Sequence, residues 1–105
     1  MQLPSTTHLQ FLVLGVLRGG PTTGRALRGH LQDFQVKRSG PAFYQLMARM
    51  EDGGLVEGWY VQQVIEGQII RERHYRITAI GTRAWQASRD FYLMSIRGVE
   101  GLAGA

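Results

Sequence analysis

SGPAFYQLMARMEDGGLV, running from Ser39 to Val56, decides how this 105-residue chain folds. Ser39 can cap free backbone N–H groups, and Pro41 suits a first helical turn, where its missing N–H costs little. Phe43, Leu46, Met47 and Met50 recur at i, i+3, i+4 and i+7, which makes one apolar stripe. Tyr44, Gln45, Ala48 and Arg49 take the opposite face, and Gly53-Gly54 stops the helix before a short apolar strand start at Leu55-Val56. A buried stripe backed by small, polar and cationic residues is what a helix needs to lie in a DNA major groove. Ala48 permits close approach, while Gln45 and Arg49 can reach base edges or phosphates. The competing reading of this segment alone is an ordinary amphipathic helix with a solvated face.

After Leu55 the pattern turns strand-like. Val56, Trp59, Tyr60, Val61, Val64 and Ile65 lead to a turn at Glu66-Gly67-Gln68, and Ile69 to Ile77 return. Gly67 supplies the permissive backbone of a tight hairpin. In the returning strand Arg71, Arg73, Tyr75 and Ile77 share one side and Glu72, His74 and Arg76 the other, with Tyr75 and Ile77 as the core-facing pair. Thr78 reads as the cap of a further helix.

Working upstream, Thr6 or Thr7 can cap a first helix in which Leu9, Leu12, Val13, Val16 and Leu17 recur at helical spacing and Phe11 and Leu14 widen the apolar sector. Such a helix must be buried on nearly all sides, in part by another subunit. Gly19-Gly20-Pro21 ends it. Thr22 or Thr23 caps a second helix, Gly24 to about Phe34, with Leu27, Leu31 and Phe34 inward and Arg25 and Arg28 outward. Lys37 and Arg38 then carry positive charge to the N-terminus of the helix that starts at Ser39, and both favour phosphate. The predicted fold class is α+β and mainly helical: a winged helix-turn-helix with three N-terminal helices, a two-stranded wing and a C-terminal dimerisation helix. The expected divisions are a DNA-binding domain over 1–77, the dimerisation helix over 78–97 and a flexible tail over 98–105.

The chain resembles the PadR family of transcriptional regulators from about Leu9 to Trp85. The resemblance rests on LGVLRGGPTTG (Leu14 to Gly24), SGPAFY (Ser39 to Tyr44), RMEDGGLV (Arg49 to Val56) and RHYRITAIG (Arg73 to Gly81). It departs from the family pattern at Ser39-Gly40-Pro41, where the family has serine-proline-glycine, and at Gln45, where proline is frequent. The resemblance implies a bacterial or archaeal cytoplasmic regulator of short form. It would be a dimeric DNA-binding protein, usually a repressor, whose C-terminal helix packs on the partner's first helix. It also implies that Tyr44 clamps a phosphate. The expected DNA contacts are Lys37, Arg38, Ser39, Ala42, Tyr44, Gln45, Arg49, Arg71, Arg73 and Arg76. The expected dimer contacts are Leu9, Phe11, Val13 and Leu14 with Trp85, Ser88, Phe91 and Tyr92.

Composition is consistent with this reading. The chain is one domain's length, and dimer burial would help so small a core. It has no cysteine, hence no disulfide framework or thiol nucleophile. No apolar run approaches membrane-spanning length and the N-terminus lacks a secretory layout, so a cytoplasmic location with no membrane partner is expected. Net charge is +4, and all 12 basic residues except Lys37 are arginine. Arginine's planar fork suits phosphate and guanine, although a GC-rich genome also encodes arginine often.

Catalytic chemistry has little foothold. His8, His30 and His74 make no ligand spacing, and no metal or other cofactor is expected. Glu51-Asp52 is the one close carboxylate pair and reads as a solvated helix end. The glycines form no phosphate loop followed by lysine, so an enzyme is not expected.

In the last helix Ala84, Ser88, Phe91 and Ser95 form one line, and Trp85, Ser88, Tyr92 and Ile96 an adjacent one. So many large apolar residues there need a partner surface. Trp85 reads either as interface packing or as a stacking platform for a small aromatic effector. Two functions from different classes remain open. One is a homodimeric DNA-binding repressor on an inverted-repeat operator. The other is a winged-helix module that binds protein, for which an exposed apolar or acidic patch near the wing is the distinguishing sign. A MarR-like regulator is a further alternative within the DNA class, disfavoured by the single C-terminal helix.

Overall fold

The computed structural model describes residues 6–103. Its elements in chain order are α1 (His8–Leu17), β1 (Thr22–Thr23), α2 (Gly24–Asp33), α3 (Gly40–Asp52), β2 (Val56–Ile65), β3 (Gln68–Ile77) and α4 (Ala79–Ala103). The strands form one antiparallel sheet in the order β1-β3-β2. This is the expected mainly helical α+β winged helix.

Caps set the helix starts. Thr7 and Gln10 bond reciprocally at the head of α1, side chain to backbone N–H in both directions at 3.1 and 3.0 Å. Thr23 Oγ1 accepts from the Ala26 N–H, and Ser39 Oγ from the Ala42 N–H. Thr78 holds the start of α4 twice over: its hydroxyl accepts from the Gly81 N–H at 2.9 Å and donates to the Gly54 carbonyl at 2.6 Å. Strand β1 is absent from the sequence expectation, because two residues carry no period; Thr23 ends it and caps α2 in the same place.

One core joins the four helices to the near ends of β2 and β3. Val13, Leu14 and Leu17 of α1 meet Leu27 and Leu31 of α2 and the Phe43, Leu46, Met47 and Met50 stripe of α3. Tyr75 of β3 and Ala84 of α4 close the set. Each large side chain buried this way stabilises by roughly 1.5–3 kcal/mol. Phe34, expected to face inward, is instead 57% exposed. The helix stops at Asp33 and Gln35 turns the chain in the left-handed region (φ 61°), so Val36 packs against the core in its place.

The wing turns on two residues, Glu66 (φ 51°) and Gly67 (φ 77°), which matches the twist of the flanking strands. That loop is one residue shorter than the expected turn and pairs Ile65 with Gln68. Helix α4 has 25 residues, about 38 Å at 1.5 Å per residue. A flexible tail is expected from residue 98, yet the helix runs through Gly98 and Gly101 to Ala103; residues 104–105 lie outside the described part. Val99 and Leu102 continue the helical spacing of Tyr92 and Ile96, and each glycine costs only about 1 kcal/mol against alanine, too little to break an established helix.

Candidate nucleic-acid interface

Helix α3 turns its buried stripe to the core and leaves Tyr44, Gln45, Ala48 and Arg49 exposed. Its two flanks differ. On one side the wing approaches, and Tyr44, Ala48 and Glu51 face Tyr60, Arg71, Arg73 and Tyr75 across a cleft of about 490 Å³. On the other side Arg49 turns towards Arg38 and the N-terminal end of α1.

The hairpin register builds the wing side of the cleft. Tyr60 stands opposite Arg73 and Gln62 opposite Arg71, so all four lie on the face turned to α3. The Arg71 guanidinium lies 4.1 Å from the Tyr60 ring centre and that of Arg73 4.6 Å. Arg73 also donates to Glu51 Oε1 at 2.6 Å. Gly58 makes room for this pair, since a Cβ there would stand 2.6 Å from the carboxylate oxygen. Burial works against the Arg73 charge, but Glu51 and the Tyr75 hydroxyl outweigh it and hold the guanidinium above its ordinary range. Burial in turn raises the Tyr75 phenol, opposed by Arg73. Arg73 is therefore committed within the fold. Arg71 is exposed, with no carboxylate within 4.0 Å among the described residues.

Tyr44 crosses the open end of the cleft. Its ring meets Phe43 edge-on at 5.1 Å and lies over Gly24. Thr23, Arg25, Arg71, Glu72 and Arg73 surround it in a hollow of about 90 Å³. Lys37 and Arg38 are exposed in the α2–α3 turn, where Arg28 donates to the Arg38 carbonyl at 2.8 Å.

Several expected contacts need revision. Arg73 is spent on Glu51. Arg76 lies on the sheet face away from α3 and pairs with Glu57 at 2.7 Å, because strand alternation turns it from its neighbour Tyr75. The Ser39 hydroxyl is engaged as a cap, and Ala42 is half-buried. Among the dimer contacts, Val13 and Leu14 are fully buried in the chain's own core and have no surface left for a partner. Phe11 stacks on Trp85 at 5.6 Å and meets Tyr92 at 5.2 Å within the same chain, and Ser88 bonds to Thr6 at 2.6 Å. The Trp85 ring is covered by Phe11 and by the Arg18 guanidinium at 3.7 Å, so a planar effector would have to displace one of them. Leu9 is half-buried, and Phe91 is 66% exposed.

Tyr60 and Arg25 are contributors that the sequence reading leaves off the site. Counting the register back from a two-residue turn at Glu66-Gly67 puts Tyr60 opposite Arg73, a signal available in the sequence. Arg25 reaches the site only because α2 starts beside Tyr44, which no local pattern reveals. Among the described residues no three His, Asp or Glu side chains gather as a metal site. Nor is any described helix long and apolar enough to cross a membrane.

No protein-family model matches the sequence, and no curated protein matches it. Solved structures do resemble the fold. A PadR family transcriptional regulator from Eggerthella lenta is 28% identical with a TM-score of 0.73, over 90% of this chain and 80% of that one. A PadR family transcription regulator from Clostridium difficile has a TM-score of 0.78 at 14% identity, over 92% of this chain and 99% of that one. Bacillus subtilis PadR in complex with operator DNA has a TM-score of 0.62 at 18% identity, over 77% of this chain and 47% of that one.

Proposed function

Proceeding from the PadR-like assignment that these structures support, we propose that the chain is a cytoplasmic, sequence-specific DNA-binding transcriptional regulator acting as a homodimeric repressor. The observation that carries the reading is the cleft between α3 and the wing. An exposed Arg71 and the Tyr44 hydroxyl flank a helix whose outward face offers Gln45, Ala48 and Arg49. That is the arrangement for a phosphate backbone lying between wing and helix while the helix face meets base edges. The Bacillus subtilis protein was solved with operator DNA, which supports the same partner here.

The second subunit is inferred from α4. Gly81, Ala84 and Ser88 face the chain's own core, and the same helical face continues through Tyr92, Ile96 and Val99, the last two 53% and 66% exposed. A line of apolar residues that covers α1 and then runs on uncovered suits a second copy. A two-fold dimer would read an inverted repeat.

Titration of promoter fragments from the gene's own neighbourhood, followed by fluorescence anisotropy at several salt concentrations, tests the proposal. Saturable binding that weakens steeply with salt is the expected result. Absence of binding at low salt and micromolar protein would favour the other reading, a winged-helix module that docks on protein. One observation speaks for that alternative: Val64 and Ile69 at the wing tip are 70% and 68% exposed.

A further inference from the structure

The groove on the flank of α3 away from the wing has a volume of about 470 Å³, within the range of roughly 300–1,000 Å³ usual for small-molecule sites. Leu9 and Leu12 of α1, Val36 of the turn and Leu46 of α3 form an apolar floor that continues the core. Arg38 and Arg49 stand exposed at the rim. Among the described residues no acidic side chain lines the groove, and no carboxylate lies within 4.0 Å of either arginine. A phosphate site would need the two guanidinium groups alone; the leucine and valine floor beside them asks for an apolar chain as well.

We propose that this groove is an effector site for a small amphipathic anion, a medium-chain carboxylate. Its tail lies on Leu9, Leu12, Val36 and Leu46, and its carboxylate bridges Arg38 and Arg49 in charge-assisted hydrogen bonds. The regulatory consequence rests on the DNA reading given above. An anion holding Arg38 and Arg49 withdraws both from the nucleic acid, so carboxylate and DNA each weaken the other's binding by the same factor.

The test uses the full chain with isotope-labelled leucine and valine methyl groups, titrated with octanoate and, separately, with octylammonium. Octanoate is expected to give saturable shifts at Leu9, Leu12, Val36 and Leu46, and octylammonium to give none there. Arg49→Ala should weaken octanoate binding about tenfold, the loss of one charge-assisted contact. Val36→Thr keeps the side-chain shape and touches no proposed DNA contact; it should weaken octanoate severalfold and leave DNA binding unchanged. Saturating octanoate should weaken DNA binding by the wild type by about tenfold. Shifts confined to Leu93, Val99 and Leu102 of α4, or equal responses to the two ligands, would overturn the anion site. Octanoate bound in the groove without loss of DNA affinity would overturn its role as an effector. If the wild type binds no DNA even without octanoate, the regulator reading falls while the methyl shifts still decide the groove.

Discussion

Glu51 near the end of α3 and Arg73 in β3 meet at 2.6 Å, each side chain about three-quarters buried, and so tie the wing to α3. A partly buried, charge-assisted pair is worth more than a surface one, and removing either member strands the other. The link holds one Arg73 guanidinium nitrogen at the inner wall of the cleft that Tyr44 and Tyr60 also line.

Arg73 and Arg71 are therefore expected to behave oppositely, although both are wing arginines on one face. Arg73→Ala should lower stability by about 1–3 kcal/mol in thermal or urea unfolding. Arg71→Ala should leave stability within about 0.5 kcal/mol and reduce the salt dependence of DNA binding by about one phosphate contact. Arg76→Ala breaks an exposed pair on the other sheet face, with both side chains 55% exposed, and should change neither quantity measurably. A smaller salt slope for the Arg73 variant at unchanged stability would show that the two roles are reversed.

Tyr44 can be tested by removing one oxygen. Tyr44→Phe keeps the ring on Phe43 and over Gly24 and deletes only the hydroxyl at the mouth of the cleft. DNA affinity should fall by roughly 1 kcal/mol, about fivefold, with the melting temperature unchanged. Gly24→Ala should reproduce part of the loss by a different route, because its Cβ would lie 2.7 Å from the Tyr44 hydroxyl and push the ring aside. Early melting of the phenylalanine variant with normal binding once folded would make Tyr44 a packing residue.

Helix α3 and the wing are written in local patterns, and that is why they are legible in the sequence. The period of Phe43, Leu46, Met47 and Met50, the Ser39 cap and the alternation around Tyr75 each depend on neighbours a few residues away. Pairings over longer separations are not legible. Glu51 reads in sequence as a solvated helix end, and only the closed hairpin brings Arg73 to it. Val13 and Leu14 read as available for a partner because a helix apolar on most sides does not declare which residues its own domain covers. Phe34 misleads for a related reason: helical spacing places it inward, but the helix ends one residue before it.

Glycines in α4 separate packing from propensity. A glycine-to-alanine change inside a helix ordinarily stabilises by up to about 1 kcal/mol. A Cβ at Gly98 or Gly101 would meet nothing within 4 Å, so alanine at either should raise helicity and stability by that order. Gly81 should do the reverse. A Cβ there would run into the Leu55 carbonyl and crowd Ile77, and backbone cannot rotate away. Gly81→Ala should cost on the order of 3 kcal/mol or more and loosen α4 from the domain. Circular dichroism and thermal melts check all three; no gain of helix at Gly98 and Gly101 would restore the flexible tail over 98–105.

The proposed dimer would rest on the uncovered continuation of the α4 face, so the informative substitutions lie beyond the part that packs on α1. Tyr92→Ala would disturb the chain's own contact with Phe11 at 5.2 Å and confuse folding with association. Ile96 and Val99 are cleaner positions, each more than half exposed in the single chain. Ile96→Ala with Val99→Ala should leave the melting of the domain nearly unchanged while weakening association by about 3 kcal/mol, roughly a hundredfold. If a two-fold dimer engages two half-sites about 34 Å apart, operator affinity should fall with the dimer while non-specific binding falls less. Sedimentation equilibrium of both proteins, paired with titrations on one and two half-sites, measures the two effects separately. A wild type that is monomeric at about 50 μM, where a dimer of even modest affinity would have formed, would remove the two-fold axis and with it the inverted-repeat operator.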